Sequence, residues 1–221
     1  MDILERHEIF EMEVLERLNS ERFLDPLVFG GGTMLRLCYG LDRYSADLDF
    51  WFVKKMRETA YFNKLRRSLG GEYEITDARI KFYTLLFEIR SKGYPRRLKI
   101  EIRRKMKECD FQERIAFSEF SAKQVALKVH TPGQTMKNKI EAAIDRGEVR
   151  DFYDIEFLLR KGTPLSASRD KLARLKETID KFTDNDIRVT LGSLVEPGKR
   201  SYYLKNRFQF LSERISSGLS H

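Results

Sequence analysis

From position 47 the chain reads Asp47-Leu48-Asp49-Phe50-Trp51-Phe52, and that alternation admits few folds. Successive side chains of a strand leave opposite faces, so Asp47 and Asp49 share one face while Leu48 and Phe50 point into a core. Two neighbouring carboxylates repel each other, and holding them side by side brings no structural benefit unless a cation sits between them. Their hard oxygens suit magnesium, which takes one or two carboxylates together with substrate phosphates. The plain alternative puts Asp47 in a solvated turn and Asp49 in water at a strand end. Trp51 and Phe52 are expected in the core.

About 15 residues earlier, the apolar Leu27-Val28-Phe29 runs into Gly30-Gly31-Gly32-Thr33. Consecutive glycines at a strand end let the backbone approach a ligand and aim its N–H groups at phosphate oxygens. Thr33 adds a hydroxyl and is placed to cap a helix from Met34 to Tyr39. A tight strand-to-helix turn would use the same residues, and no Gly-Lys-Ser/Thr follows to make a P-loop. A third carboxylate, Glu101, lies mid-strand in Lys99-Ile100-Glu101-Ile102, with its apolar neighbours facing the other way. It borders Asp47 and Asp49 if the two strands are neighbours, completing a set able to bind two metals. Otherwise it is an exposed glutamate paired with Lys99 or Arg103.

The rest of the chain supplies the frame. An amphipathic helix is predicted over 2–18, a helix over 54–69, and strands over 73–76, 82–90, 97–103 and 125–129. Beyond Pro132-Gly133, helices are predicted over 134–146, 150–159, 168–182, 184–194 and 201–216. The expected fold is α+β: a small mixed sheet with flanking helices over residues 1–130, then a helical region over 131–221. No run approaches the roughly 18 apolar residues of a membrane span. Cys38 and Cys109 give no disulfide framework, so a reducing, cytoplasmic setting is expected. Lysine and arginine number 42 against 34 acidic residues, a net charge of +8 that favours a polyanionic partner. Basic residues cluster at Arg66-Arg67, Arg96-Arg97-Lys99 and Arg103-Arg104-Lys105-Lys107.

A second stretch, Lys139-Ile140-Glu141-Ala142-Ala143-Ile144-Asp145-Arg146, precedes Arg150-Asp151-Phe152-Tyr153-Asp154. Lys139, Ala142, Ala143 and Arg146 share one helix face, so two cations flank small residues that let another surface approach closely. Asp151 and Asp154 share a face of the next helix, where they can orient those cations. Lys139 and Arg146 can address triphosphate charge across a cleft, or the two helices can simply be ion-paired.

The G-G-G-T turn followed by R-x-S-x-D-x-D-F resembles the nucleotidyltransferase superfamily. With the K-x-x-A-x-x-x-R…R-D-x-x-D stretch, the resemblance narrows to the AbiEii/AbiGii toxins of abortive-infection and type IV toxin–antitoxin systems. It covers roughly residues 27–160. The resemblance implies transfer of a nucleoside monophosphate from a nucleoside triphosphate, with magnesium or manganese held by Asp47, Asp49 and Glu101, and with Lys139 catalytic. Gly31, Gly32, Thr33, Arg43, Ser45, Arg146, Asp151 and Asp154 would then serve the nucleotide and its phosphates. It further implies an RNA acceptor such as the tRNA 3′ end and a cognate antitoxin, while the lack of a long apolar run leads to the expectation of no membrane partner. A protein or small-molecule acceptor such as an aminoglycoside, or a non-catalytic nucleotide-binding relative, are the alternatives. The superfamily often has serine after its glycine pair, where this chain has Gly32-Thr33. His7, His130 and His221 are scattered without zinc-ligand spacing.

Overall fold

Asp2 starts the chain's first element: its side chain caps the helix while Glu5 reaches back to the cap, and α1 runs Ile3–Ser20. The computed structural model describes residues 2–219, and His221 lies outside them. The order continues as β1 (Leu27–Gly30), α2 (Gly31–Tyr39), β2 (Asp47–Phe52), α3 (Glu58–Gly70), β3 (Glu74–Ile80), β4 (Thr84–Arg90) and β5 (Leu98–Arg103). Then come β6 (Phe111–Phe117), β7 (Gln124–His130), α4 (Pro132–Arg146), α5 (Val149–Arg160), α6 (Arg169–Lys181), α7 (Asp184–Leu191), α8 (Pro197–Asn206) and α9 (Gln209–Leu219).

The seven described strands form one mixed sheet in the order β3-β4-β5-β2-β1-β7-β6. β1 is antiparallel to β2 and parallel to β7, and β2 is parallel to β5. One sheet face is dry: Phe29, Leu48, Phe50, Leu85, Phe87, Ile100, Ile102 and Val129 are all buried. Helix α1 packs near β5 and β7 and α3 near β3 and β4. The opposite face carries Asp47, Asp49 and Glu101.

The chain divides into two compact units, residues 1–40 with 44–130, and residues 41–43 with 131–221. The second is helical, with α4 against α5 and α6, and α9 against α5 and α6. Phe152, Phe182, Tyr203 and Phe208 pack ring against ring at its centre.

Several features depart from the sequence expectations: β3 runs on to Ile80, β4 starts only at Thr84 and α8 already at Pro197, and four further differences have a local reason. Strand β6 was not predicted: it is an edge strand whose residues other than Ala116 are exposed, so no buried-face alternation marks it. Helix α3 begins at Glu58, and 54–57 is loop. The expected helix over 201–216 is broken at Arg207, whose φ of 49° ends α8. Its guanidinium donates to the Phe182 carbonyl and to Asp184 while Phe208 turns into the ring cluster, and these contacts outweigh helical continuity. Helix α2 starts at Gly31 with Gly30 as its cap, so Thr33 lies inside the first turn and does not cap it.

Candidate active site

Backbone register builds the site. Asp49 pairs with Gly30 on β1 and with Glu101 on β5, and Asp47 pairs with Lys99. In-register partners share a sheet face, so Asp47, Asp49 and Glu101 project from the same side, next to the end of β1. Gly31 stands there at φ +79°, and a Cβ at this position would collide with Asp49 Oδ2. Only glycine fits, because the conformation is left-handed and the space belongs to the carboxylate. A Cβ on Gly30 would meet the Trp51 ring at 2.6 Å and His130 Nδ1 at 2.7 Å. Bare backbone at 30–31 therefore lies against the carboxylate strand. The first N–H groups of α2, from Gly31, Gly32 and Thr33, lack helical acceptors and so are available to an anion.

Lys99 was absent from the sequence-predicted site. Its Nζ lies 3.0 Å from Asp47 and 4.0 Å from Glu101. Burial pulls its pKa down, but the hydrogen bond to Asp47 and the charges of Asp47, Glu101 and Asp49 outweigh this and raise it. The carboxylate face thus draws a cation from the protein itself. Among the described residues, no three His, Cys, Asp or Glu side chains are placed to hold an ion by themselves. The donor chemistry still fits magnesium, since one or two hard carboxylates are the protein's usual share of its ligands.

Thr33 is fully buried, and its hydroxyl donates to the Asp47 carbonyl at 2.8 Å. Its Oγ1 also lies 3.5 Å from Glu11 Oε1. A His7 ring nitrogen lies 2.9 Å from the Ala46 carbonyl. These contacts tie the head of β2 to α1 and α2, and no local pattern marks them because they cross up to 39 residues. Burial, reinforced by the charge of Glu8, raises the Glu11 pKa well above the ordinary range, and burial lowers that of His7. Trp51, expected in the core, is only half-buried and sits on the carboxylate face, because it is four residues from Asp47 in a strand of period two. Ser45 is half-buried in the loop before β2.

The second unit gathers the other predicted cations around carboxylates. Arg43, 3% exposed, makes a bidentate pair with Asp154 at 2.6 Å. Lys139 Nζ lies 2.6 Å from Asp154 and 3.3 Å from Asp151, and Arg146 forks onto Asp151 at 2.6 and 2.7 Å. Burial pushes the Asp154 pKa up, but Arg43 and Lys139 outweigh it and hold the group ionised. Asp151 and Asp154 do orient the cations of α4, as their spacing implies. The price is access: Lys139 is 7% exposed, whereas the Arg146 side chain is 44% exposed.

The chain matches the family described as nucleotidyl transferase AbiEii toxin, type IV TA system, over residues 13–216. No curated protein matches it. Among solved structures, it is similar to a candidate nucleotidyltransferase from H. pylori, with 22% identity, 95% of this chain and 96% of that chain covered, and a TM-score of 0.58. JHP933 from Helicobacter pylori also has 22% identity, with 95% and 94% covered and a TM-score of 0.53. MenT4, the nucleotidyltransferase toxin Rv2826c of Mycobacterium tuberculosis H37Rv, has 17% identity, 93% and 85% covered, and a TM-score of 0.51. At these identities the solved structures speak for the fold, which they share.

Proposed function

This chain belongs to the nucleotidyl transferase AbiEii toxin family of type IV toxin–antitoxin systems, and from that premise we propose that it transfers a nucleoside monophosphate from a nucleoside triphosphate to an RNA hydroxyl, as at the 3′ end of a tRNA. The observation that carries this reading is Gly31 packed against Asp49, with Glu101 in register beside it. A divalent ion held by Asp47 and Asp49 would supply electrostatic stabilisation of the phosphate charge that develops at the α-phosphorus. The N–H groups of Gly31, Gly32 and Thr33, with Ser45 just before the carboxylate strand, bind phosphate oxygens. The Thr33 hydroxyl instead holds the Asp47 backbone. Glu101 accepts the proton of the acceptor hydroxyl as its oxygen bonds to the α-phosphorus and the bond to pyrophosphate breaks. Lys99 neutralises the carboxylates until substrate and ion arrive. In the second unit, Arg43 and Lys139 act as structural cations, and the Arg146 side chain stays 44% exposed.

No helix among the described residues is long and apolar enough to cross a membrane, and a net charge of +8 supports a nucleic-acid acceptor. The test is incubation of the protein with each labelled nucleoside triphosphate, magnesium and total RNA. Label should enter RNA and fall by at least about 100-fold in Asp49→Asn. Chelation should abolish it. Label appearing only in protein or in a small acceptor, or persisting in the variant, overturns the reading.

A further inference from the structure

The end of the sheet opposite the glycine turn carries an unusual concentration of charge and exposed rings. By strand order and direction four segments line that end: 21–26 before β1, 53–57 after β2, 81–83 between β3 and β4, and 104–110 after β5. A cavity of about 660 Å³ opens among the first two and α3. Arg22, Lys54, Lys55, Arg57 and Lys64 line it, with Asp25 as its one acid. Lys54, Lys55, Arg57, Lys105 and Lys107 make no ion pair among the described residues. On the turn between β3 and β4, Phe82 is 80% exposed and Tyr83 67%, their rings in edge contact at 4.6 Å.

The ring pair is held in place. The Arg104 guanidinium donates to the carbonyls of Lys81 and Phe82 and to Glu58, and the Arg104 N–H donates to the Tyr83 carbonyl. Fixing two large apolar rings in water opposes the hydrophobic effect, and nothing within the described protein covers them. A row of cations beside exposed ring faces matches a single-stranded nucleic acid, whose phosphates take the charge and whose unstacked bases take the rings. A duplex offers its phosphates but keeps its bases stacked.

Position links this surface to the carboxylates. Trp51 pairs with Arg103, and Arg103 pairs with Thr84, which directly follows the ring pair. Arg103 is two residues along β5 from Glu101, about 7 Å at strand rise. A strand ending at the carboxylates therefore runs over Trp51 and Arg103 to reach the rings.

We infer that loops 53–57, 81–83 and 104–110 hold the single-stranded RNA segment adjoining the hydroxyl that reacts. The inference rests on the RNA acceptor proposed above, and it is tested by binding. Fluorescence anisotropy without nucleoside triphosphate would compare a labelled single-stranded RNA 12-mer, its DNA counterpart and the duplex RNA. The substituted positions are exposed, so Phe82→Ala/Tyr83→Ala and Lys54→Glu/Lys55→Glu should melt like the wild type. Each double variant should bind the RNA strand at least about 10-fold more weakly. The charge variant should also flatten the slope of log affinity against log salt by about 1.4, from two lost phosphate contacts. In turnover both should raise the KM for RNA and leave kcat unchanged.

Unchanged affinity in both variants overturns the inference, as does equal binding of duplex. Equal binding of DNA overturns the choice of RNA. Absence of binding with an acidic protein bound in its place assigns the surface to that protein and overturns the inference too. If the RNA-acceptor reading alone is wrong, wild-type protein binds the strand and never labels it. If the surface alone is wrong, RNA is labelled with the same KM in every variant.

Discussion

Gly31 shows how much a single missing methyl group can decide. At φ +79° any L side chain costs about 1–2 kcal/mol, and its Cβ also takes the place of the Asp49 carboxylate. Gly40 makes a natural control, because its φ is +74° and nothing lies within 4 Å of an added Cβ. Gly31→Ala and Gly40→Ala should therefore lose similar backbone stability in urea unfolding, plus a clash term for the first. Only Gly31→Ala should lose turnover, by about 100-fold, since an ångström's displacement of a reacting group has that effect. Equal activity in the two variants would show that the glycine turn does not position the carboxylate. At this scale the sequence was informative wherever spacing alone sets direction. The shared face of Asp47 and Asp49 followed from period two, and Glu101 joins it because β2 and β5 are neighbours, the condition the sequence left open. Lys99 was legible only as a partner of Glu101, and its contact with Asp47, like the roles of His7 and Glu11, was not, because these come from what lies across the sheet or behind the helix.

At the scale of elements, α4 and α5 are joined through charge in a buried place. Asp154 is fully buried and faces two cations, one of them 111 residues away in sequence. Replacing it with asparagine leaves Arg43 and Lys139 buried without their counter-charge, which should destabilise the protein by about 3–5 kcal/mol. The exposed Asp145→Asn on α4 should stay within about 0.5 kcal/mol of wild type. Urea midpoints at constant slope measure both, and a small effect at Asp154 would mean that Asp151 alone supports the cluster. The helix faces of this pair were readable from i, i+3, i+4 and i+7 spacing. The involvement of Arg43 was not, since nothing local marks a loop arginine as part of a distant helix pair. The same limit explains β6 and the break at Arg207. An edge strand with a wet face on both sides has no periodicity to read, and a helix stop set by contacts with Phe182 and Asp184 leaves no glycine or proline behind.

Across the whole molecule, the two units should respond to acid at different pH. In the first unit, burial depresses the His130 pKa from the ordinary 6.5 to about 4, and His7 is lowered as well. The unfolded chain then binds more protons than the folded one between those values. The His130 contribution, roughly 3 kcal/mol, is therefore present above about pH 6.5 and lost as the pH falls toward 4, while the raised Glu11 carboxyl of the same unit works in the opposite direction. In the second unit the buried carboxylate with a depressed pKa is Asp154, whose stabilisation is complete above the ordinary aspartate value of about 3.9 and disappears only below it. Hydrogen exchange followed by mass spectrometry separates the two. After correction for intrinsic rates, amides of β1 and β7 should lose protection between pH 6.5 and 4.5, while those of α4 and α5 keep theirs. His130→Gln cannot take up the proton, so it should flatten the pH slope in the first unit even if it lowers stability at pH 7. Parallel loss of protection in both units, unchanged by that substitution, would mean that another group drives acid unfolding.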